Sequence, residues 1–153
     1  MSNLEVTVEQ LRGMEGTQLG AGQPFVVTQE RVDQFAEATG DYQWIHCDPV
    51  RSAKGPFGTT IAHGYLTLSL IPLFMRDLLT ITDEVRGTNY GVERVRFPNV
   101  VPVGSALTMS GRVHNIVDRP DGGVQYSVAV IVAVNGSERP SLAGDVTYLT
   151  YGP

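Results

Sequence analysis

The segment IAHGYLTLSLIPLFMRDLL at residues 61–79 decides the fold, because apolar side chains fall on nearly every face of the helix that it predicts. A surface helix shows one apolar stripe, whereas a helix that is apolar all round has to be covered by other elements. His63, Gly64, Pro72 and Arg76 interrupt the run, and its uninterrupted apolar core is shorter than the roughly 20 residues of a transmembrane helix. We therefore expect a buried helix inside a globular domain.

The second half of the chain supplies the cover for this helix. Apolar and polar residues alternate cleanly over residues 124–134, as in a strand with one buried face. The turn residues at 118–123 and the Asn135-Gly136 pair predict hairpins, so the last three strands should pair antiparallel. The sequence thus predicts an α+β fold in which a curved antiparallel sheet wraps a long central helix. The four predicted strands cover residues 86–97, 106–117, 124–134 and 142–151.

The first half of the chain is predicted to be helical and rich in loops. A short helix is expected near residues 7–13, followed by a glycine-rich linker to residue 22 and a short strand from residue 25. Thr28 and Gly40 have the residue types that begin and end a helix. Residues 41–60 are predicted as a loop with one helical turn near residues 49–53. We expect one domain over residues 1–153, with residues 1–22 as a peripheral segment.

Charge and cysteine content restrict the function. The chain has 11 Lys and Arg against 16 Asp and Glu, a net charge of −5, and no basic cluster. Binding to nucleic acid or to an anionic membrane is therefore not expected, since both need a basic surface. The single Cys47 cannot form an intrachain disulfide, which favours a reducing compartment. The first residues lack the basic start and apolar core of a signal peptide, so we expect a cytoplasmic location.

Three residues carry the candidate chemistry. Nucleophile elbow, zinc-protease, Cys-x-x-Cys and phosphate-loop motifs are all missing from the sequence. What remains is Asp41, then His46 five positions later, and Gly64 near the start of the apolar helix. A carboxylate beside an imidazole can activate water and move a proton. The N–H groups in the first helical turn can stabilise a carbonyl oxygen as it becomes negative, and Gly64 does not block them.

Structural interpretations of the same residues stay open on this reasoning. Asp41 can be an ordinary loop residue that bonds its own backbone, and His46 a buried histidine with satisfied hydrogen bonds. His63 suits the capping of a helix end as well as it suits participation in a site. Cys47 and Trp44 are expected to pack in the loop. Asp41, His46, Asp48 and His63 follow no recognised metal-ligand spacing, so no metal is expected.

Three segments resemble one family. They read ATGD at residues 38–41, HCDP at residues 46–49 and FGTTIAHG at residues 57–64. Together they are similar to the hydratase motif of the MaoC-like dehydratases, which include the R-specific enoyl-CoA hydratases, and in particular to the nodulation protein N branch. The resemblance extends from about residue 25 to residue 151. Further matching segments are NYG at 89–91, VRFP at 95–98 and VPVG at 101–104.

The resemblance implies a hot-dog fold and the syn addition of water to trans-2-enoyl-CoA, which gives (R)-3-hydroxyacyl-CoA. It implies that His46 takes a proton from water, that Asp41 orients this water and relays a proton to C2, and that the Gly64 N–H binds the thioester oxygen. It implies no metal or bound cofactor, because CoA, or the pantetheine of a carrier protein, arrives as part of the substrate. It also implies a homodimer that joins two sheets edge to edge.

The substrate is less well defined than the reaction. Gln43, Asn89, Tyr90 and His63 are candidate substrate-binding residues beside Gly64. Many family members have Asn-Pro where this chain has Gln43-Trp44, which leaves the length and shape of the acyl group open. The alternatives to a hydratase are a hot-dog acyl-CoA thioesterase and an acyl-binding protein of the same fold without catalytic turnover.

Overall fold

A computed structural model describes residues 3–153, and in it a curved sheet surrounds two consecutive helices. The elements of the first half are β1 (Leu4–Val6), α1 (Val8–Leu11), β2 (Gln18–Leu19), β3 (Phe25–Val26), α2 (Gln29–Thr39), α3 (Trp44–Cys47) and α4 (Pro49–Ala53). They are followed by α5 (Gly64–Ser69), α6 (Ile71–Leu78), β4 (Leu79–Ile81), β5 (Arg86–Arg96), β6 (Ala106–Asp118), β7 (Val124–Val134) and β8 (Leu142–Tyr151).

The large sheet is antiparallel throughout and has the strand order β2-β6-β7-β8-β5, with β3 also paired to β6. The predicted antiparallel pairing of the last three strands is therefore confirmed. The four long strands agree with their predicted ranges to within one residue. Strand β1 lies outside this sheet and pairs in parallel with β4.

The core lies between the large sheet and helices α5 and α6. The alternation in β7 has the predicted effect, because Val124, Val128, Val130 and Val132 are at most 1% exposed. They belong to the same apolar cluster as Phe74 of α6, which is also 1% exposed. This arrangement of a sheet around a helical segment agrees with the hot-dog fold that the resemblance implies.

The central helix differs from the prediction in two ways. It begins at Gly64, because Ile61 forms a β-bridge with Pro102 instead of a helical turn. It is interrupted at Leu70, because Pro72 lies in the first turn of α6 and has no N–H to continue the hydrogen-bond ladder of α5. The predicted single helix is thus two short ones. Within residues 3–153, no helix combines the length and the apolar character needed to cross a bilayer.

The segments predicted as loop and linker contain additional elements. The predicted turn near residues 49–53 is α4, but the short helix α3 precedes it. The glycine-rich linker includes β2, which pairs with β6. The N-terminal segment, expected to be peripheral, adds side chains to the core, while residues 1 and 2 lie outside the described part of the chain. The buried side chains of this segment are Val8, Leu11, Met14 and Leu19.

Replacing Leu11 by Ala should lower the free energy of unfolding by about 2–5 kcal/mol, because the fully buried side chain would leave a cavity. Urea denaturation followed by circular dichroism measures this change. Val50→Ala is the matched control, since Val50 is 75% exposed and its truncation should change stability by less than about 0.5 kcal/mol. Equal effects of the two substitutions would contradict the packing of the N-terminal segment against the core.

Candidate active site

Asp41, His46 and His63 come together although they lie on three different segments. One ligand atom from each residue lies within 4.8 Å of those of the other two. Helix α2 ends at Gly40, whose φ of 82° is in the left-handed region, and Asp41 follows directly. His46 is on α3, and His63 is the residue before the first turn of α5. The fold therefore brings residues from a loop, a short helix and the start of another helix into one cluster.

His46 is held as a neutral base. Its side chain is buried, and Nδ1 lies 2.7 Å from the carbonyl oxygen of Ile61. A carbonyl oxygen only accepts, so Nδ1 carries the proton and Nε2 keeps its lone pair. Burial is the largest cause that lowers the pKa of His46 from its ordinary 6.5, partly opposed by the bond to Ile61. The ring is therefore ready to accept a proton near neutral pH.

His63 supports the other two members of the cluster. Its Nε2 donates to the main-chain oxygen of Asp41 at 2.9 Å, and its ring stacks on His46 with the centroids 3.9 Å apart. The ring of Phe35 lies on it as well, at 4.9 Å between centroids. His63 makes no side-chain hydrogen bond to the helix that it precedes, so it is not an end cap. Its Nδ1 is buried and has no hydrogen-bond partner among residues 3–153.

Asp41 has one oxygen engaged in the loop. Its Oδ1 accepts from the backbone N–H of Gln43 at 3.3 Å, which is the local bond of an ordinary loop Asp. The side chain is exposed to solvent, unlike both imidazoles. Asp41 is therefore both a loop residue that bonds its own backbone and a member of the cluster, because its carboxylate also lies within 4.8 Å of ligand atoms of His46 and His63.

The cluster could also be considered as a metal site, since two imidazoles and a carboxylate suit several transition metals. The geometry of the two rings does not favour this. Their planes are only 25° apart, and each nitrogen lone pair lies in the plane of its ring. An ion would have to lie in both ring planes to meet both lone pairs, and two nearly parallel planes do not meet near the rings. The arrangement suits proton transfer from a water molecule better than coordination.

Gly64 occupies the first position of α5, where backbone N–H groups have no partner within the helix. The ring of Phe97 lies against it, so that a Cβ on Gly64 would be 2.9 Å from two ring carbons. Tyr65 contacts the same ring edge-on, with the centroids 6.0 Å apart. Glycine is thus required here by the packing of Phe97, a reason that the sequence did not reveal.

The predicted substrate-binding residues lie in three different places. Gln43 is exposed at the start of α3, beside Asp41. Asn89 lines two adjoining cavities of about 260 and 330 Å³ between β5, β8 and α6. Tyr90 faces the opposite side of the sheet, where the Arg119 guanidinium lies 5.4 Å from its ring centre. The structure therefore does not bring Tyr90 together with Asp41 and His46.

The residues expected to pack in the loop do so. Arg51 lies over the Trp44 ring at 4.2 Å, and Gly55 is close enough that a Cβ would be 3.1 Å from that ring. Burial, followed by the charges of Asp33 and Asp41, raises the pKa of the Cys47 thiol. A thiol that stays protonated is a poor nucleophile. Trp44 therefore anchors α3 and α4 to each other.

One supporting residue was missed by the sequence analysis. The Gln29 amide donates to the main-chain oxygen of His46 at 2.7 Å and accepts from the Thr60 hydroxyl. It therefore ties α3 to the segment that leads into α5. No local motif marks Gln29, because its partners lie 17 and 31 positions away.

Comparison with known proteins agrees with this geometry. The sequence profile described as MaoC like domain matches residues 11–135. The chain belongs to the MaoC-like domain family. The 3-hydroxyacyl-thioester dehydratase Z of Mycobacterium tuberculosis is 42% identical over 139 residues, which cover 91% of this chain and 92% of that protein. Nodulation protein N of Rhizobium leguminosarum bv. viciae is 34% identical over 152 residues, covering 97% and 94%.

Several solved structures have the same fold. An unliganded R-hydratase, PhaJ1 from Pseudomonas aeruginosa, superposes with a TM-score of 0.69 over 91% of this chain and 83% of its own, at 21% identity. A monoamine oxidase regulatory protein from Archaeoglobus gives a TM-score of 0.79 over the whole of both chains, also at 21% identity. The predicted family and the predicted α+β hot-dog fold are therefore confirmed.

The imidazole of His46 should titrate below pH 6.5, because the buried ring resists protonation. NMR titration of the ring signals measures this, and loss of one signal in His46→Gln identifies it. The unfolded chain binds this proton more readily than the folded chain, so stability should fall as the pH drops below 6.5. That fall should be smaller in His46→Gln. A midpoint at or above 6.5 would contradict the neutral base.

Proposed function

We propose that this MaoC-like protein is a hydro-lyase that reversibly adds water to trans-2-enoyl-CoA and gives (R)-3-hydroxyacyl-CoA. The observation that carries the proposal is the approach of the Asp41 carboxylate to the His46 and His63 imidazoles, all within 4.8 Å, beside the first turn of α5. Membership of the family and the 42% identity to a 3-hydroxyacyl-thioester dehydratase support the same reaction class.

Each group has one task in the proposed reaction. Nε2 of His46 removes a proton from water while the water oxygen forms a bond to C3 of the enoyl group. The electron pair of the C2–C3 double bond moves toward the thioester and places negative charge on its oxygen. Asp41 orients the water and relays to C2 the proton that His46 took from the water, which restores the carbonyl and returns His46 and Asp41 to their starting protonation states. Dehydration follows the same steps in reverse.

The thioester oxygen is proposed to lie at the first turn of α5. The N–H of Gly64 would donate to it, and losing one such donor typically costs about 2.7–4 kcal/mol of transition-state stabilisation. Phe97 packs against this turn. His63 holds the main chain of Asp41 and the face of His46, so we assign it a positioning role.

The acyl chain is proposed to lie in the two adjoining cavities along α5, α6 and β5. They share Pro72, Asn89 and Tyr148, and the cavity nearer to Gly64 is lined by Leu68 and Ile71. Burial raises the pKa of Tyr148 to about 12, so its phenol remains a hydrogen-bond donor. Asn89 would then contact the acyl group, whereas Gln43 is exposed next to Asp41, outside the lining of both cavities.

The proposed reaction needs no resident metal or cofactor, because CoA enters as part of the substrate. We also propose that the protein works in the cytoplasm, on the basis of its single Cys47 and its acidic charge.

Asp41→Asn and His46→Ala should each lower the hydration rate by about 10²–10⁴, because each removes a group that moves a proton. The decrease of enoyl absorbance of crotonyl-CoA measures the rate. Asp48→Asn is the matched control, since Asp48 only caps α4 through Arg51 N–H and an amide oxygen caps equally well. Near wild-type rates in both site variants would refute the assigned roles.

Two other outcomes would replace the proposal. Release of free thiol from saturated acyl-CoA, which has no double bond to hydrate, would identify a thioesterase. Saturable binding of acyl-CoA without a product from any enoyl chain length would identify an acyl-binding protein.

We propose a homodimer that joins two β5 strands edge to edge. Strand β5 pairs only with β8 within residues 3–153, and every β5 residue except Val95 is exposed. An exposed strand edge of this length is a template for pairing with another strand. Tyr90 and Val92 of this strand are more than half exposed, and a second copy would cover them.

Val92→Lys should convert the dimer to a monomer, because it places a charge in the proposed contact. Light scattering after size-exclusion chromatography measures the mass. Val50→Lys, at an exposed position on α4, should leave the dimer intact. A monomeric wild type, or a dimer that survives Val92→Lys unchanged, would refute this interface.

A further inference from the structure

The outer face of the large sheet, opposite to α5 and α6, carries a groove of about 380 Å³. Its floor is formed by Ser110 of β6, by Ala129 and the half-exposed Ile131 of β7, and by Ala143 of β8. Arg112 of β6 forms one rim, and Arg94 and Arg96 of β5 form the other. We call this feature the arginine groove. The register fixes it, because Arg112 pairs with Ala129 and Arg96 pairs with Ala143 on the same face.

Within residues 3–153, none of the three arginines forms an ion pair, although Glu15 lies near enough to Arg112 to feel its charge and Arg96 donates to the main-chain oxygen of Arg94 at 2.9 Å. The ion pairs within residues 3–153 involve Arg12 and His114. The carboxylate inside the groove belongs to Asp145, and its Oδ1 is bound to His114 Nε2 at 3.0 Å. Three guanidinium groups around one groove repel each other, although the whole chain carries a net charge of −5. An anion in the groove would remove this repulsion.

The donors of the groove match phosphate. A guanidinium presents paired N–H groups whose spacing fits two phosphate oxygens. The side chains of Gln18 and Ser110 also line the groove and add an amide and a hydroxyl. The two rims are three strand spacings apart, about 14 Å between backbones. The Arg112 guanidinium lies beside Gly16, where a Cβ would be 3.4 Å from its Nη2. The groove can therefore hold more than one phosphate at a time.

The arginine groove begins beside the candidate active site. Arg96 is followed by Phe97, whose ring covers Gly64 on the inner face. Consecutive strand residues point to opposite faces, so the inner and outer sites are separated there by one strand. The pairing of β5 with β8 ends at Arg96 and Ala143, and the chain then leaves the sheet. A ligand that reaches both sites has to pass around this strand end.

We propose that the arginine groove binds the nucleotide phosphates of a CoA thioester whose acyl end lies at Asp41 and His46. This inference rests on the proposed function and specifies the group that carries the acyl chain in its substrate. CoA carries a diphosphate and a 3′-phosphate, whereas the pantetheine arm of a carrier protein carries a single phosphodiester. A groove with arginines on both rims therefore selects free CoA thioesters over carrier-bound ones.

Isothermal titration with free CoA tests the groove without turnover. Arg96→Ala and Arg112→Ala should each weaken CoA binding about tenfold, because each removes charge-assisted hydrogen bonds to phosphate. Arg139→Ala is the matched control, since it removes the same charge from an exposed turn outside the groove. Dephospho-CoA, which lacks the 3′-phosphate, should bind the wild type more weakly than CoA does. This difference in affinity between the two ligands should be smaller for Arg112→Ala.

Steady-state kinetics give a second readout. Arg96→Ala and Arg112→Ala should raise KM for crotonyl-CoA about tenfold and leave kcat unchanged, because the nucleotide phosphates of CoA bind equally in the ground and transition states. Crotonyl-pantetheine, which has no phosphate, should show the same KM in wild type and variants. A rise in KM for both substrates would overturn the proposal, since it would indicate a structural effect.

Three further results would overturn the inference. The first is that the wild type does not bind CoA. The second is that the wild type and both rim variants bind CoA equally well. The third is that inorganic phosphate, at the same concentration as CoA, displaces all of the bound CoA. The two proposals fail separately. Asp41→Asn should abolish turnover and still bind CoA, and arginine-dependent CoA binding by a protein without hydratase activity would refute only the reaction.

Discussion

The hydrogen bond from His46 Nδ1 to the carbonyl oxygen of Ile61 joins the two segments on which the site depends. The backbone completes this link, because Ile61 N–H donates to Ile45 at 3.0 Å. On its other side, residues 60–62 bond to the backbone of Val101 and Val103. Helix α3, the start of α5 and the chain after β5 are thereby held against each other. Movement of any one of them would separate the carboxylate from the imidazoles.

The sequence predicted those parts of the fold that rest on periodicity. The alternation over β7 predicted a sheet with one buried face. The apolar character of residues 61–79 predicted a helix packed against that face. Turn residues fixed the antiparallel order. The interruption at Leu70 follows from Pro72, whose effect was underestimated because apolar residues continue past it. Helix α3 was missed because four residues are too few to show a helical period.

The candidate site was predictable as a list of residues and not as a geometry. The spacing of Asp41 and His46 and the resemblance indicated them, but contacts over long sequence separations assemble the cluster. His63 bonds to Asp41 from 22 positions away, and His46 bonds to Ile61 from 15. Tyr90 is different, because it follows Asn89, which lines the inner cavities, and consecutive strand residues point to opposite faces. Strand alternation alone therefore separates these two residues.

The parallel pair of β1 and β4 joins Leu4 to Leu79 across most of the first half of the chain. At roughly 5–20 residues per second, a ribosome needs about 4–15 seconds to make the partner strand after the first one. Leu19 pairs with β6, and Leu11 belongs to the same apolar cluster, so both become fully buried only after β6 has been translated. During biosynthesis, Leu11 and Leu19 are therefore exposed until the later strands that cover them have been made.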